Sequence, residues 1–185
     1  ENDSVLHDLT RRSLLRNACY EYVMTNSPDE RGIDVALMYS PYSFRLIDSH
    51  SVRVKPIKGM RPTRDILYAS GVTASGDTLH VIVVHLPSRR GGEKYSRPFR
   101  MMAARQVAAV IDSIYNKVSA EAKIIVAGDF NDYSNSESMQ LLCSKRMIGV
   151  SKGAKGHNGA KGTYRYQGLW GSLDHILVSI PLADI

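Results

Sequence analysis

Asp129 and Asn131 stand two residues apart at the end of the stretch Lys123-Ile124-Ile125-Val126-Ala127-Gly128-Asp129-Phe130-Asn131-Asp132. An apolar run breaks at a glycine and continues into carboxylates and an amide. A carboxylate beside an amide oxygen suits a hard divalent cation and a phosphate oxygen. In extended backbone, side chains two apart point the same way, so this pair would converge. The same residues also spell a plain Gly-Asp turn, with Asn131 or Asp132 capping the next helix. On this stretch alone both readings stand. Two more polar groups sit at the ends of apolar runs: His85, just before Leu86-Pro87, and Asp174, at the head of a run that reaches Ser179. Arg89, Arg90, Arg97 and Arg100 follow His85 closely. Guanidinium groups match phosphate oxygens two at a time, so the four form a candidate subsite for substrate phosphate; a solvated basic loop is the equal alternative.

The elements that must position these groups follow from periodicity. Residues 123 to 129 read as a buried strand of a layered α/β protein, and the loops at such strand ends carry chemistry. Residues 78 to 87 read as a β-branched central strand. Further strands are expected at 20–24, 33–39, 44–54 (interrupted near Asp48), 64–69 and 172–179. Helices are expected at 3–16, with Val5, Leu6, Leu9 and Leu14 inward, at 97–118, where Ala103, Val107, Val110, Ile111, Ile114 and Val118 keep a helical period, and at 136–143, with Met139 and Leu142 inward. Arg97, Arg100 and Arg105 near the start of the long helix oppose its macrodipole, which suggests an anion there. Strand parity turns His175 away from Asp174, and His80 away from His85. Residues 151 to 162 are a basic, glycine-containing loop that lacks the Gly-Lys pair of a phosphate-binding Walker motif. Tyr164, Tyr166 and Trp170 have near-alternate spacing, which suits strand packing or stacking on bases.

Composition sets wide bounds. The 185 residues suffice for one domain with a sizeable core, and no internal repeat or linker divides them. The content, 43% hydrophobic and 23% charged, is ordinary for a soluble globular protein. No apolar run is long enough for a membrane span. Cys19 and Cys143 fit no zinc spacing. With 24 Lys and Arg against 18 Asp and Glu, the net charge is +6. That favours an anionic partner: a phosphate ester, nucleic acid, or a phospholipid or inositol phosphate head group.

Four segments together carry a resemblance: Gly32-Ile33-Asp34-Val35-Ala36-Leu37-Met38-Tyr39, Val84-His85-Leu86-Pro87-Ser88, Gly128-Asp129-Phe130-Asn131, and Leu173-Asp174-His175-Ile176-Leu177-Val178-Ser179. In this order they resemble the endonuclease/exonuclease/phosphatase superfamily, which is similar in fold to deoxyribonuclease I. The resemblance covers nearly the whole chain. It implies an α/β fold, a two-sheet β-sandwich flanked by helices in four layers. It also implies a phosphoesterase, nuclease or phosphatase, that uses Mg2+ or Mn2+. Carried over, Asp129 would orient or deprotonate the attacking water near the metal. Asn131 would hold that water or a phosphate oxygen, and His85 would touch the scissile phosphate or help protonate the leaving oxygen. Asp174 would fix the tautomer of a catalytic histidine.

The chain departs from that pattern in three places. The family places a metal-binding Glu after an early Asn; here Glu1-Asn2-Asp3 looks like the tail of that segment, so the metal ligand is Glu1 or a residue just upstream. The family ends on Ser-Asp-His, and here the chain ends on Pro181-Leu182-Ala183-Asp184-Ile185. Ser40 follows Tyr39 where a basic residue is frequent. Residues 1–185 therefore read as one domain of this type, incomplete at both ends. A non-catalytic or truncated member that binds anionic ligands is the alternative function.

Overall fold

The computed structural model describes residues 2–183. Its centre is a six-stranded mixed sheet in the order β3-β4-β5-β6-β10-β7, built from β3 (Phe44–Val52), β4 (Ile66–Thr73), β5 (Thr78–His85), β6 (Lys123–Asp129), β7 (Met147–Gly149) and β10 (Asp174–Ser179). Neighbours run antiparallel except β5 and β6, which are parallel. A parallel pair needs a crossover, and helices supply it in such folds. Here it is α2 (Glu93–Lys117). Its buried stripe, Ala103, Ala104, Val107, Ala108, Ile111 and Ile114, packs with Ile82 and Val84 of β5 and Ile124 and Val126 of β6. Small residues at 103, 104 and 108 let the helix come close to the β-branched surface. α3 (Glu137–Cys143) joins the same core through Met139 and Leu142, both inward as expected.

Two shorter ladders stand apart from the main sheet: β1 (Glu21–Met24) with β2 (Ala36–Tyr39), and β8 (Tyr164–Tyr166) with β9 (Leu169–Gly171). The α/β architecture with flanking helices is the one the sequence predicts. Its strands fall where apolar runs end in turn residues. Strand β3 differs in being continuous: near Asp48 it has a register shift between Leu46 and Asp48, not a break.

The amino-terminal segment departs from expectation. α1 (Asp3–His7) is capped by the Asn2 side chain, which accepts from the Val5 N–H at 3.2 Å. The turn then widens to π-helical geometry over Asp8–Arg12, and Leu14–Ala18 is a 3-10 turn. Leu6 is buried, Val5 and Leu9 are exposed, and Leu14 is fully exposed. The wider turn shifts the helical period, so an inward stripe read from a 3.6-residue repeat cannot hold through Leu14.

Because side chains alternate along a strand, Ile82 and Val84 face α2, while Val81, Val83 and His85 face the other way. The same parity puts Ile124 and Val126 toward α2, and Ile125, Ala127 and Asp129 away from it. In β10, Leu177 is in the helix-side core; His175 shares its face and Asp174 does not. His80, on the helix side, is buried and paired with the Tyr68 hydroxyl at 2.8 Å.

Candidate active site

Three neighbouring strands bring their polar ends together. His85 closes β5 and Asp129 closes β6, and the two are partners in the parallel ladder. Asp174 opens β10 and is the cross-strand partner of Asp129. The Phe130 N–H donates to the Leu173 carbonyl at 2.9 Å. By the alternation of antiparallel ladders, Asp129 and Asp174 then form a non-hydrogen-bonded pair, in which facing side chains stand closest, with Cα atoms ~4.5 Å apart. Gly128 makes the close approach of β5 and β6 feasible. Its φ is +141°, and a Cβ there would collide with the Val84 carbonyl.

His85 Nε2 lies 3.6 Å from Asp129 Oδ2. Burial, followed by the charges of Arg64 and Arg31, pushes the His85 pKa down to about 4. The imidazole is therefore neutral at pH 7, and the contact is not a charged pair. The Asp129 carboxyl is pushed up, first by burial and then by the charge of Asp174, against the N–H of Asn131 that bonds to it.

Asn131 reaches the site by a route other than the expected one. Strand β6 stops at Asp129, and Asn131 has a left-handed φ of +51°. The two residues converge through a turn, in which the Asn131 N–H donates to Asp129 Oδ1 at 2.8 Å. The Gly-Asp turn and the convergence of side chains thus coexist. Neither Asn131 nor Asp132 caps α3, whose cap position is Ser136. The Asn131 Nδ2 donates to the Leu86 carbonyl at 3.0 Å, and the residue lines a cleft with Asp129 and Asp174.

That cleft encloses about 850 Å3 and is open to solvent. Ser88, Arg89 and Arg90 form one side of it, and the β8–β9 hairpin with Tyr164, Tyr166 and Trp170 forms another. Tyr164 and Tyr166 stack at 6.1 Å, and the Arg165 guanidinium lies over the Trp170 ring. Both tyrosines are exposed, so they are not packed in a core as strand residues usually are.

The four candidate arginines separate. Arg89 and Arg90 line the cleft; Arg97 and Arg100 do not. Arg97 pairs with Glu137 at 3.1 Å across exposed surface. Arg100 is fully buried and reaches Glu93 at 2.6 Å and Asp132 at 3.1 Å. The Nε of Arg100 is close to Asp132 without hydrogen-bond alignment. The expected anion at the start of α2 is therefore supplied by the protein's own carboxylates, and Arg100 has no face open to a substrate. His175 is buried too. Its Nε2 donates to the Asp132 carbonyl at 2.9 Å, on the side of the sheet that parity assigns to it. Glu1, the metal candidate, lies outside the described residues.

Sequence reasoning missed Arg64 and Asp29. Arg64 is buried and donates to the His85 carbonyl (3.1 Å), the Leu86 carbonyl (2.6 Å) and Asp29 Oδ2 (3.1 Å). It holds the end of β5 in place behind the imidazole. Burial raises the Asp29 carboxyl, but hydrogen bonds from Arg31 and Arg64 outweigh it and hold the group well below the ordinary range.

Among the described residues no group of three His, Cys, Asp or Glu side chains converges as a metal site. The oxygens of Asp129, Asp174 and Asn131 are nevertheless right in kind for magnesium, which takes one or two carboxylates and fills its shell with water and substrate phosphate.

A model described as the endonuclease/exonuclease/phosphatase family matches residues 1–184. No curated protein matches the sequence. Solved structures share the fold at low identity. The human Nocturnin catalytic domain with bound sulfate is 20% identical, with a TM-score of 0.70 over 92% of this chain and 64% of that one. A mannosyl-6-phosphatase of Bacteroides thetaiotaomicron is 18% identical, with a TM-score of 0.70 over 95% of this chain and 68% of that one. ANGEL2, a 2′,3′-cyclic phosphatase in complex with adenosine-2′,3′-vanadate, is 13% identical, with a TM-score of 0.70 over 93% and 67%. The chain thus spans about two thirds of the length of these proteins. Among the described residues no helix is long and apolar enough to cross a membrane.

Proposed function

We propose a reaction for this chain, which belongs to the endonuclease/exonuclease/phosphatase family: hydrolysis of a phosphate ester by in-line attack of water, dependent on a divalent metal. The observation that carries the reading is the convergence of Asp129, Asn131 and Asp174 at one end of β6 and β10, in a cleft with Arg89 and Arg90 on its side, and of His85 at the end of β5, 3.6 Å from Asp129. Asp129, Asp174 and the Asn131 amide oxygen would hold a magnesium or manganese ion, which when bound polarises a phosphoryl oxygen. Asp129 orients the attacking water and takes its proton. The Asn131 amide oxygen, left over from the bond that Nδ2 gives to the Leu86 carbonyl, accepts from the attacking water. His85, neutral at pH 7, donates an N–H to the phosphate and is a poor source of a proton for the leaving group. Arg89 and Arg90 neutralise the charge that develops on the phosphoryl oxygens.

The substrate class follows from charge and rim. A net charge of +6 and an aromatic hairpin beside the carboxylates suit a nucleic acid or a phosphorylated head group. The test is hydrolysis of plasmid DNA, a nitrophenyl phosphodiester and a nitrophenyl monoester, with magnesium or manganese, beside Asp129→Ala. The expected result is turnover that needs metal and is lost in the variant. Turnover unchanged in Asp129→Ala would sink this assignment. A second reading, an anion-binding module without catalysis, draws on the lack of a three-ligand cluster among the described residues. It predicts metal-independent binding of the same esters and no turnover.

A further inference from the structure

A second cavity, of about 370 Å3, lies beyond the Ser88–Gly91 ridge that bounds the cleft. Ser88 and Arg90 line both spaces. The second cavity's lining combines Arg31, Arg61 and Arg90, and the carboxylate residues Asp29 and Glu30 that pair with the first two, with Tyr95 and Phe99, one turn apart on α2 and with rings edge to face at 5.2 Å. The Tyr95 hydroxyl donates to the Gly59 carbonyl at 3.3 Å, which ties the aromatic wall to the 57–63 loop.

Two features show recognition capacity that the protein does not use on itself. Thr63 lines the cavity and is 4% exposed, and its buried hydroxyl has no hydrogen-bond partner among the described residues. A buried polar group without a partner is costly. Among the described residues no ion pair of Arg90 is found, and Arg61 has only a loose contact to Glu30, 3.5 Å between two exposed side chains. Such a pair is worth little and is readily exchanged for a better anion. Arg31 by contrast is forked onto Asp29 and contributes charge more than free donors. The cavity exceeds what a bare phosphate fills and is at the lower end of ligand-sized pockets, ~300 Å3 and upward.

We propose that this cavity is a second binding site, for a phosphate joined to a planar ring, the chemistry of a nucleotide. The phosphate sits between Arg61, Arg90 and the Thr63 hydroxyl, and the ring lies on Tyr95 and Phe99. Guanidinium groups and a hydroxyl supply the donors that phosphate oxygens accept, and aromatic walls stack on a base of any sequence.

The test is calorimetric titration, without metal, of the protein with adenosine 5′-monophosphate, ribose 5-phosphate and inorganic phosphate. The variants are Arg61→Gln, Thr63→Val and Tyr95→Ala, none of which lines the Asp129 cleft. The expected order is adenosine monophosphate tighter than ribose 5-phosphate, and that tighter than phosphate. Arg61→Gln weakens all three by about tenfold, the factor that 1.4 kcal/mol makes. Thr63→Val also weakens all three, and Tyr95→Ala removes the advantage of the base. Hydrolysis of a nitrophenyl phosphodiester is followed in the same variants and stays at the wild-type level, so failure of the phosphoesterase reading is separable from failure of this one. Absence of nucleotide binding, affinities unchanged in the three variants, or equal affinity for nucleotide and ribose 5-phosphate would each overturn the proposal.

Discussion

The two faces of β5, β6 and β10 treat charge in opposite ways. On the helix side, charge is buried and matched. Arg100, fully buried, meets Asp132, which is 2% exposed; the Ser138 hydroxyl donates to the same carboxylate, and His175 holds the Asp132 main-chain carbonyl. On the other side, two carboxylates of like charge face one another across the ladder, and a half-buried histidine is held neutral beside them. The same strands, at the same end, build a structural pair on one face and an unresolved electrostatic conflict on the other. Matched charge holds a fold together, whereas conflict of this sort is kept where chemistry can use it.

The contrast can be broken most severely from the helix side. Arg100→Ala leaves Asp132 buried without its cation, and a loss of about 3–5 kcal/mol is expected in urea denaturation; Arg100→Met, with Asp132→Leu beside it, should recover most of that. Gly128→Ala strikes the seam between the faces, because the added methyl meets the Val84 carbonyl at a φ of +141°. A loss on the order of 3 kcal/mol is expected, with turnover falling further than stability, since His85 and Asp129 lose their register.

On the cleft side the sign reverses. The raised pKa of Asp129 means that the folded state holds its proton more tightly than the unfolded state does. That contribution to stability is present below the unfolded pKa and is lost as pH rises through the folded one. Asp174→Asn removes one cause of the shift, so it should raise the melting temperature at pH 7 and not at pH 3, while turnover falls. A melting temperature lowered at pH 7 would show that the carboxylates support each other. For His85 the expected effect is smaller. Its pKa is depressed from 6.5 to about 4, so the unfolded chain takes up a proton first and stability declines as pH falls through that window. An NMR titration of the imidazole should show a midpoint near 4; a midpoint near 6.5 would remove the conflict from the cleft. Smallest of all is Arg97→Gln. It breaks an exposed pair with Glu137 and should cost about 0–1 kcal/mol with no change in phosphodiester turnover.

Strand ends were legible because an apolar run that stops at Gly128 or Pro87 has few structural meanings. Parity placed His80 and His175 on the helix face because alternation along a strand survives folding. The arginines were less legible. Arg97 and Arg100 look the same as Arg89 and Arg90 in a basic stretch, and what separates them lies elsewhere in the chain: Glu137 is 40 residues from Arg97, and Asp132 reaches Arg100 only once α2 packs on the sheet. Arg64 and Asp29 are 35 residues apart, and neither sits in a motif. The amino-terminal helix was misjudged for a local reason, a π turn that no composition signal announces.

The turn at Asn131 limits what position 131 will tolerate. Its backbone is left-handed, a region asparagine enters at little cost and β-branched residues do not. Its amide nitrogen must give a hydrogen to the Leu86 carbonyl, which Arg64 also grips. That leaves the amide oxygen as the atom offered to the cleft. Aspartate would set an acceptor against a carbonyl, glycine would supply neither group, and glutamine is one methylene too long for the same bond. A saturation library at this codon, scored for turnover, should return asparagine almost alone, whereas position 97 should accept nearly anything.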